Sequence, residues 1–198
     1  MNTETHHLTG WKLFCEACRE DGDRLCPSAT IRQLNRFYAR YRLAVRFDAV
    51  HAHGYSEKAL RGYAAGLRLL AAYSAAELLG EAIAEKITSW EIPDPTLAVA
   101  LRRALSRPNN DPSSFFSKDG LKKQLRLFMN EESDDVRIAA TALRVMVAHG
   151  TFTPTGADSL TKAGADALQR LSDALLKECE QRFCAWLHEG LRQQGKTT

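Results

Sequence analysis

EKALRGYAAGLRLLAAYSAAELLGEAIAEKIT, residues 57–88, is the stretch on which the fold turns. Leu60, Tyr63, Leu67 and Leu70 recur in alternating steps of three and four, the spacing that lines one side of an α-helix; a strand would alternate every second residue. Nothing interrupts the pattern before Pro93, and the residue preceding a proline is turned away from helical geometry. One long helix is therefore predicted over 57–88, its inward stripe running from Leu60 through Ser74 to Glu77. Gly62, Gly66 and Gly80 lower its helix propensity, and with Ala72 and Ala76 they keep its surface small, which makes sense where another backbone approaches closely.

The same period governs the chain on either side. Thr9 can cap a short first helix carrying Trp11, Phe14, Cys15 and Cys18 on one face, and Ser28 a second helix with the stripe Ile31, Leu34, Tyr38, Tyr41 and Val45. Residues 48–56 read as a connection. Asp94 and Pro95 supply an N-cap and a first-turn proline for a helix bearing Leu97, Leu101 and Leu105. A fifth helix is expected over 117–130, burying Leu121, Leu125 and Phe128. A sixth starts at Ser133, with Asp134 and Asp135 complementing its dipole, and presents Val136, Ala140, Leu143 and Val147 inward. Gly150 after His149 is its expected left-handed stop. The last helix starts near Asp158 or Thr161 and runs to Gln193, with Leu168, Leu171, Leu175, Cys179, Phe183 and Trp186 turned in. No strand pattern competes. These elements predict an all-α protein, a single helical bundle of six to seven helices over residues 1–198, with no repeat and no domain linker.

A chain of 198 residues can hide roughly 70% of its unfolded surface without disulfides or metals. Its 27 basic and 24 acidic residues leave an excess too small to argue for nucleic acid from net charge. Five cysteines, an odd number, are expected to be reduced thiols. No apolar run reaches the ~18 residues of a membrane span. Residues 1–8 are polar and lack the basic start and apolar stretch of a secretory signal, so a cytoplasmic protein is expected.

Several constellations carry potential chemistry. Cys15 and Cys18 form a lone CxxC with Cys26 nearby, but Cys15 and Cys18 fall on the apolar face of their helix and no second CxxC exists. Buried thiols are the better reading, and neither a metal nor a cofactor is expected. Arg32, Arg36 and Arg40 recur every four residues with Phe37, Tyr38 and Tyr41 between them. Arginines could follow phosphates while aromatics stack on bases, but Tyr38 and Tyr41 belong to the inward stripe, which leaves a solvated arginine row. Glu77 lies on an otherwise apolar stripe. An ionised carboxylate there needs a cationic or hydrogen-bonding partner, as a structural ion pair or as part of a functional cleft. Lys118, Lys122, Lys123 and Arg126 on the fifth helix, with Asp119 the single acid among them, would raise the local concentration of phosphate and extend an RNA track.

The stretch LRVMVAHG at 143–150, followed by TFTP at 151–154 and a long terminal helix, resembles the HEPN superfamily of helical domains, many of whose members are metal-independent ribonucleases. Their signature is an Arg, four to six residues, then His, at or just past the penultimate helix. Four pairs in this chain satisfy the spacing: Arg46 with His51 or His53, Arg144 with His149, and Arg182 with His188. Only Arg144 and His149 sit at the end of an amphipathic helix before a glycine turn and a last long helix. The resemblance covers about residues 133–190, more loosely the third helix around 73–84, and nothing before it. It implies a symmetric homodimer that brings two copies of the motif together, and an RNA endonuclease, a toxin or defence component with an antitoxin or other protein partner. Arg144 and His149 would be catalytic. The residues themselves place Glu77 near Arg144, since each is a charge on an otherwise apolar stripe and would suffer from burial alone, and in a shared cleft Glu77 would orient the arginine. The alternative is that Arg144 salt-bridges to Glu77 or a neighbouring acid and His149 caps a helix C-terminus. Val145 departs from the polar residue that active members commonly carry after the arginine, and many HEPN-like proteins serve without catalysis as modules that bind a protein or nucleotide.

Overall fold

The computed structural model describes residues 8–21, 26–106, 119–150 and 161–195. Within them the chain forms seven helices: α1 (Trp11–Asp21), α2 (Ser28–Arg46), α3 (Glu57–Ala82), α4 (Pro95–Leu105), α5 (Asp119–Met129), α6 (Val136–Ala148) and α7 (Lys162–Gln193). Among the described residues there is no strand, only an isolated bridge between Pro93 and Asp135. The all-α bundle predicted from periodicity is what forms. No helix of the described residues is long and apolar enough to cross a membrane.

α3 is the axis of the bundle and packs against α2, α6 and α7. Its buried side is made of small residues, Ala65, Ala72, Ala75 and Ala76, with Leu69 and Leu79 between them. Small side chains let neighbouring helices approach closely, and the backbones that approach this face are those of helices in the same chain. The predicted inward stripe is the outward one. Leu67 is 42% exposed, and Leu60, Tyr63, Leu70, Ser74 and Glu77 are half-buried. Both sides of this helix are apolar, so the three-four rule could not tell which one the bundle covers.

A single hydrophobic core runs from Leu8 to Leu191. α2 contributes Leu34, Phe37, Tyr41 and Ala44, a face rotated by one position from the predicted stripe; Tyr38 is half-buried and stacks on Trp11, with ring centroids 4.0 Å apart. α7 buries Leu168, Leu171, Leu175, Cys179 and Phe183 as expected, while Trp186 is half-buried. On α5, Leu125 and Phe128 are buried and Leu121 half-buried.

The caps follow the side-chain chemistry. Asp94 accepts from the Leu97 amide at 2.8 Å and Thr161 from the Gly164 amide at 3.1 Å, which starts α4 and α7. α3 ends at Ala82, well before the predicted 88. Ala84 takes a left-handed conformation, φ 59°, and the Glu85 amide donates back to the Gly80 carbonyl at 2.9 Å. That is the glycine-type C-terminal stop made without glycine. A short 3-10 turn, Ile87–Ser89, follows before fully buried Trp90.

Candidate functional site

α6 is positioned at its start by one carboxylate. Asp135 Oδ1 accepts from the amides of Arg137 and Ile92, each at 3.1 Å, and Oδ2 accepts twice from the Arg137 guanidinium at 3.1 and 2.9 Å. The Asp135–Arg137 pair is largely buried and ties α6 to the segment ahead of α4. Val136, Ala140 and Leu143 face the core as predicted. Val147 is half-buried and lies against Gly66 of α3, whose Cβ, if present, would stand 3.4 Å from it.

Arg144 and Glu77 meet across the α3–α6 contact. One guanidinium nitrogen lies 3.4 Å from each Glu77 carboxylate oxygen, and the two side chains are 42% and 39% exposed. The predicted proximity holds; the predicted burial does not, because Glu77 belongs to the outward stripe of α3. At this length and exposure the pair contributes about 0–1 kcal/mol, so it orients the guanidinium more than it stabilises the fold.

Beneath the guanidinium lies the Tyr73 ring, with the Arg144 Cζ 5.4 Å from its centroid. The Thr141 hydroxyl donates to the Arg137 carbonyl at 3.0 Å, which leaves the Thr141 oxygen to accept from the Tyr73 hydroxyl at 3.1 Å. Burial pushes the Tyr73 phenol up; the Thr141 bond works against that shift and the Glu77 carboxylate adds to it. Tyr73 is thus a neutral, fixed platform that holds the cation by its face. Sequence reasoning missed Tyr73 and Thr141. They stand one helical turn before Glu77 and Arg144 respectively, the spacing at which side chains on a helix touch.

His149 is the C-cap of α6: its amide donates to the Val145 carbonyl at 3.0 Å, its side chain is exposed, and Gly150 follows with φ 69°. The predicted glycine stop is present. Five residues of helix rotate by about 140° and advance about 7.5 Å, so Arg144 and His149 do not share a face. Among the described residues no hydrogen bond joins them.

α5, carrying Lys122, Lys123 and Arg126, packs against α4 and α6. Lys123 and Arg126 are exposed and Lys122 is half-buried; among the described residues none of the three forms an ion pair. Lys118, expected to extend the same row, lies outside the described residues. Cys15 and Cys18 are partly buried, and desolvation is the largest cause pushing their thiols up. Neutral thiols of that kind are poor nucleophiles and poor metal ligands.

Some large apolar side chains stay uncovered: Leu67 on α3, Leu43 on α2 and Tyr55 between these helices are 42%, 46% and 49% exposed, and the Tyr55 ring meets Tyr63 edge-on at 5.7 Å.

Comparison with known proteins returns no match: no family model, no curated protein and no solved structure.

The Arg144–Glu77 contact makes a first prediction. A double-mutant cycle of Glu77→Gln and Arg144→Gln, read by urea unfolding, should give a coupling energy of about 0.5 kcal/mol, the scale of a half-exposed pair. Coupling of roughly 2 kcal/mol would mean that the pair is far better desolvated than its exposure implies.

Proposed function

We propose that this chain is a helical module of the HEPN kind that works as a symmetric homodimer and cleaves RNA without a metal, as a toxin or defence component. The observation that carries the reading is the setting of Arg144. Its guanidinium is held by Glu77, laid over Tyr73, and keeps a solvent-facing edge. A guanidinium presents a planar fork of donors suited to phosphate. Because Arg144 and His149 diverge on their own helix, a working site needs a second copy docked on the α3 face, which would bring two arginines and two histidines to one cleft.

In that cleft the 2′-hydroxyl of a ribose attacks the adjacent phosphorus as an imidazole of His149 takes its proton. Arg144 stabilises the charge that develops on the phosphoryl oxygens. The bond to the 5′-oxygen breaks, that oxygen receives a proton, and the products are a 2′,3′-cyclic phosphate and a free 5′-hydroxyl. Glu77 and Tyr73 orient the arginine and touch no substrate.

The alternative is the same dimer without catalysis, binding a protein or nucleotide. Val145 directly after Arg144 favours it, because an apolar residue there can neither bind substrate nor assist proton transfer. One experiment separates the two. Purified protein with chelator should cut RNA to cyclic-phosphate ends, His149→Ala should slow cleavage about a hundredfold or more, and light scattering should return twice the 22.1 kDa monomer mass. Undiminished cleavage by His149→Ala would remove the site. A dimer that cuts no RNA would leave the binding module, and a monomer would remove both readings.

A further inference from the structure

We propose that the outer face of α2 is a docking surface for the phosphate backbone of a nucleic-acid strand. The sequence of this helix, SATIRQLNRFYARYRLAVR, holds Arg32, Arg36, Arg40, Arg42 and Arg46 and no acid. It carries five of the chain's 27 basic residues and none of its 24 acidic ones, so the chain outside α2 has an acidic excess of two. The small net charge conceals a strongly polarised distribution.

Three observations define this face. All five arginines are exposed, and among the described residues none forms an ion pair; Arg19, Arg61, Arg103, Arg126 and Arg170 form none either, but each of those stands on a different helix, whereas α2 carries five. Arg32, Arg36 and Arg40 follow one another at about 6 Å of axial rise and about 40° of rotation, a shallow row over about 12 Å of helix. The Arg42 guanidinium lies about 200° of helix rotation from Arg40, outside that row, and rests over the Tyr38 ring, 5.6 Å from its centroid, which is in turn stacked on Trp11; this one flanking cation is pre-arranged.

Near its C-terminal end α2 is tied to α3, where Arg68 donates to the Ala44 carbonyl at 2.9 Å. On α3 and α7, Lys58, Arg61 and Lys162 line an open cavity of about 410 Å³ with no acid among the lining residues.

Strand backbone is favoured over a lipid surface for a physical reason. A membrane-binding amphipathic helix inserts its apolar face, but Leu34, Phe37, Tyr41 and Ala44 are at most 6% exposed because α2 spends that face on α3 and α7. The same burial removes Phe37 and Tyr41 from base stacking, so recognition is by phosphate and indifferent to sequence.

The test uses a fluorescent single-stranded DNA of ~20 nucleotides, which offers phosphates but no 2′-hydroxyl. Binding is thereby read without cleavage, and it stands or falls separately from the proposed activity. Wild type should bind, with an affinity that falls steeply with salt. Arg32→Gln/Arg36→Gln/Arg40→Gln, which keeps a good helix former at each position, should bind at least tenfold more weakly at low salt. Its slope of log K against log salt should be shallower by about 2, at ~0.7 per phosphate contact on a single strand. The corresponding triple glutamine variant at Lys122, Lys123 and Arg126 should keep more of both. A variant at the three α2 arginines that folds, by circular dichroism, and binds with the wild-type constant and slope overturns the proposal. So does a wild type that binds phosphatidylserine vesicles and no strand.

Discussion

Replacing Arg102 by alanine should lower the unfolding free energy by about 3–5 kcal/mol, the cost of removing a buried charge and leaving its acceptors without a donor. Arg102 is 8% exposed on α4 and closes the turn between α5 and α6. Its Nε donates to the Phe128 carbonyl at 2.6 Å, and Nη2 donates to the Ser133 carbonyl and to Asp134 Oδ1, each at 2.7 Å. The guanidinium also covers the Phe128 ring, 4.9 Å from its centroid. Alanine leaves two carbonyls without a donor, an unpaired carboxylate and an empty space over an aromatic ring. Lysine restores the charge but cannot span all three acceptors, so Arg102→Lys should recover less than half of the loss. Urea unfolding measures both, and a loss under 1 kcal/mol for the alanine variant would contradict the network. The consequence reaches the site, because Ser133 and Asp134 immediately precede the Asp135 cap that sets where α6 begins.

How much of this was legible in the sequence depends on what each signal encodes. Periodicity gave the helices, since Leu97, Leu101 and Leu105 or Leu168, Leu171 and Leu175 each have one apolar side and one solvent side. Caps gave the ends at Asp94 before Pro95, Thr161 and Gly150, but not at Thr9, whose hydroxyl turns to Glu180, nor at Ser28, which stands inside α2 with Pro27 in the N-cap position. On α3 both sides are apolar, and alternation could not say which one the bundle covers; that choice is made by α2, α6 and α7, whose positions are not local information. The same ambiguity explains the half-correct reading of Glu77. Its meeting with Arg144 follows from two charges on facing apolar helices, but its exposure required knowing which way α3 is turned. Arg102 went unnoticed because two of its three acceptors are backbone carbonyls, and no residue type advertises a carbonyl turned toward an arginine.

Gly80→Ala is the second substitution expected to be severe, about 3 kcal/mol destabilising, and its sign is opposite to what helix propensity predicts. In an ordinary helix interior alanine improves on glycine by about 1 kcal/mol. Here a Cβ at position 80 would stand 2.5 Å from the Glu85 carbonyl oxygen and 3.2 Å from the Ile87 nitrogen. Both are backbone atoms of the turn that folds back over α3, so no side chain can swing aside. The Glu85 carbonyl cannot retreat freely either, because it accepts from the indole of fully buried Trp90 at 3.1 Å. Relief therefore requires moving the turn and the tryptophan together, at the upper end of what overpacking usually costs. A companion substitution in the same turn should do the reverse. Ala84 holds φ 59°, a conformation that costs an L-residue roughly 1–2 kcal/mol and glycine almost nothing. Glycine also loses more freedom on folding, so Ala84→Gly should gain a net of about 0.5–1 kcal/mol. Thermal and urea unfolding of the two variants should thus move in opposite directions, Gly80→Ala down and Ala84→Gly up. If Gly80→Ala were as stable as wild type, the close return of the Glu85 carbonyl over α3, and with it the ending of that helix at Ala82, would be wrong.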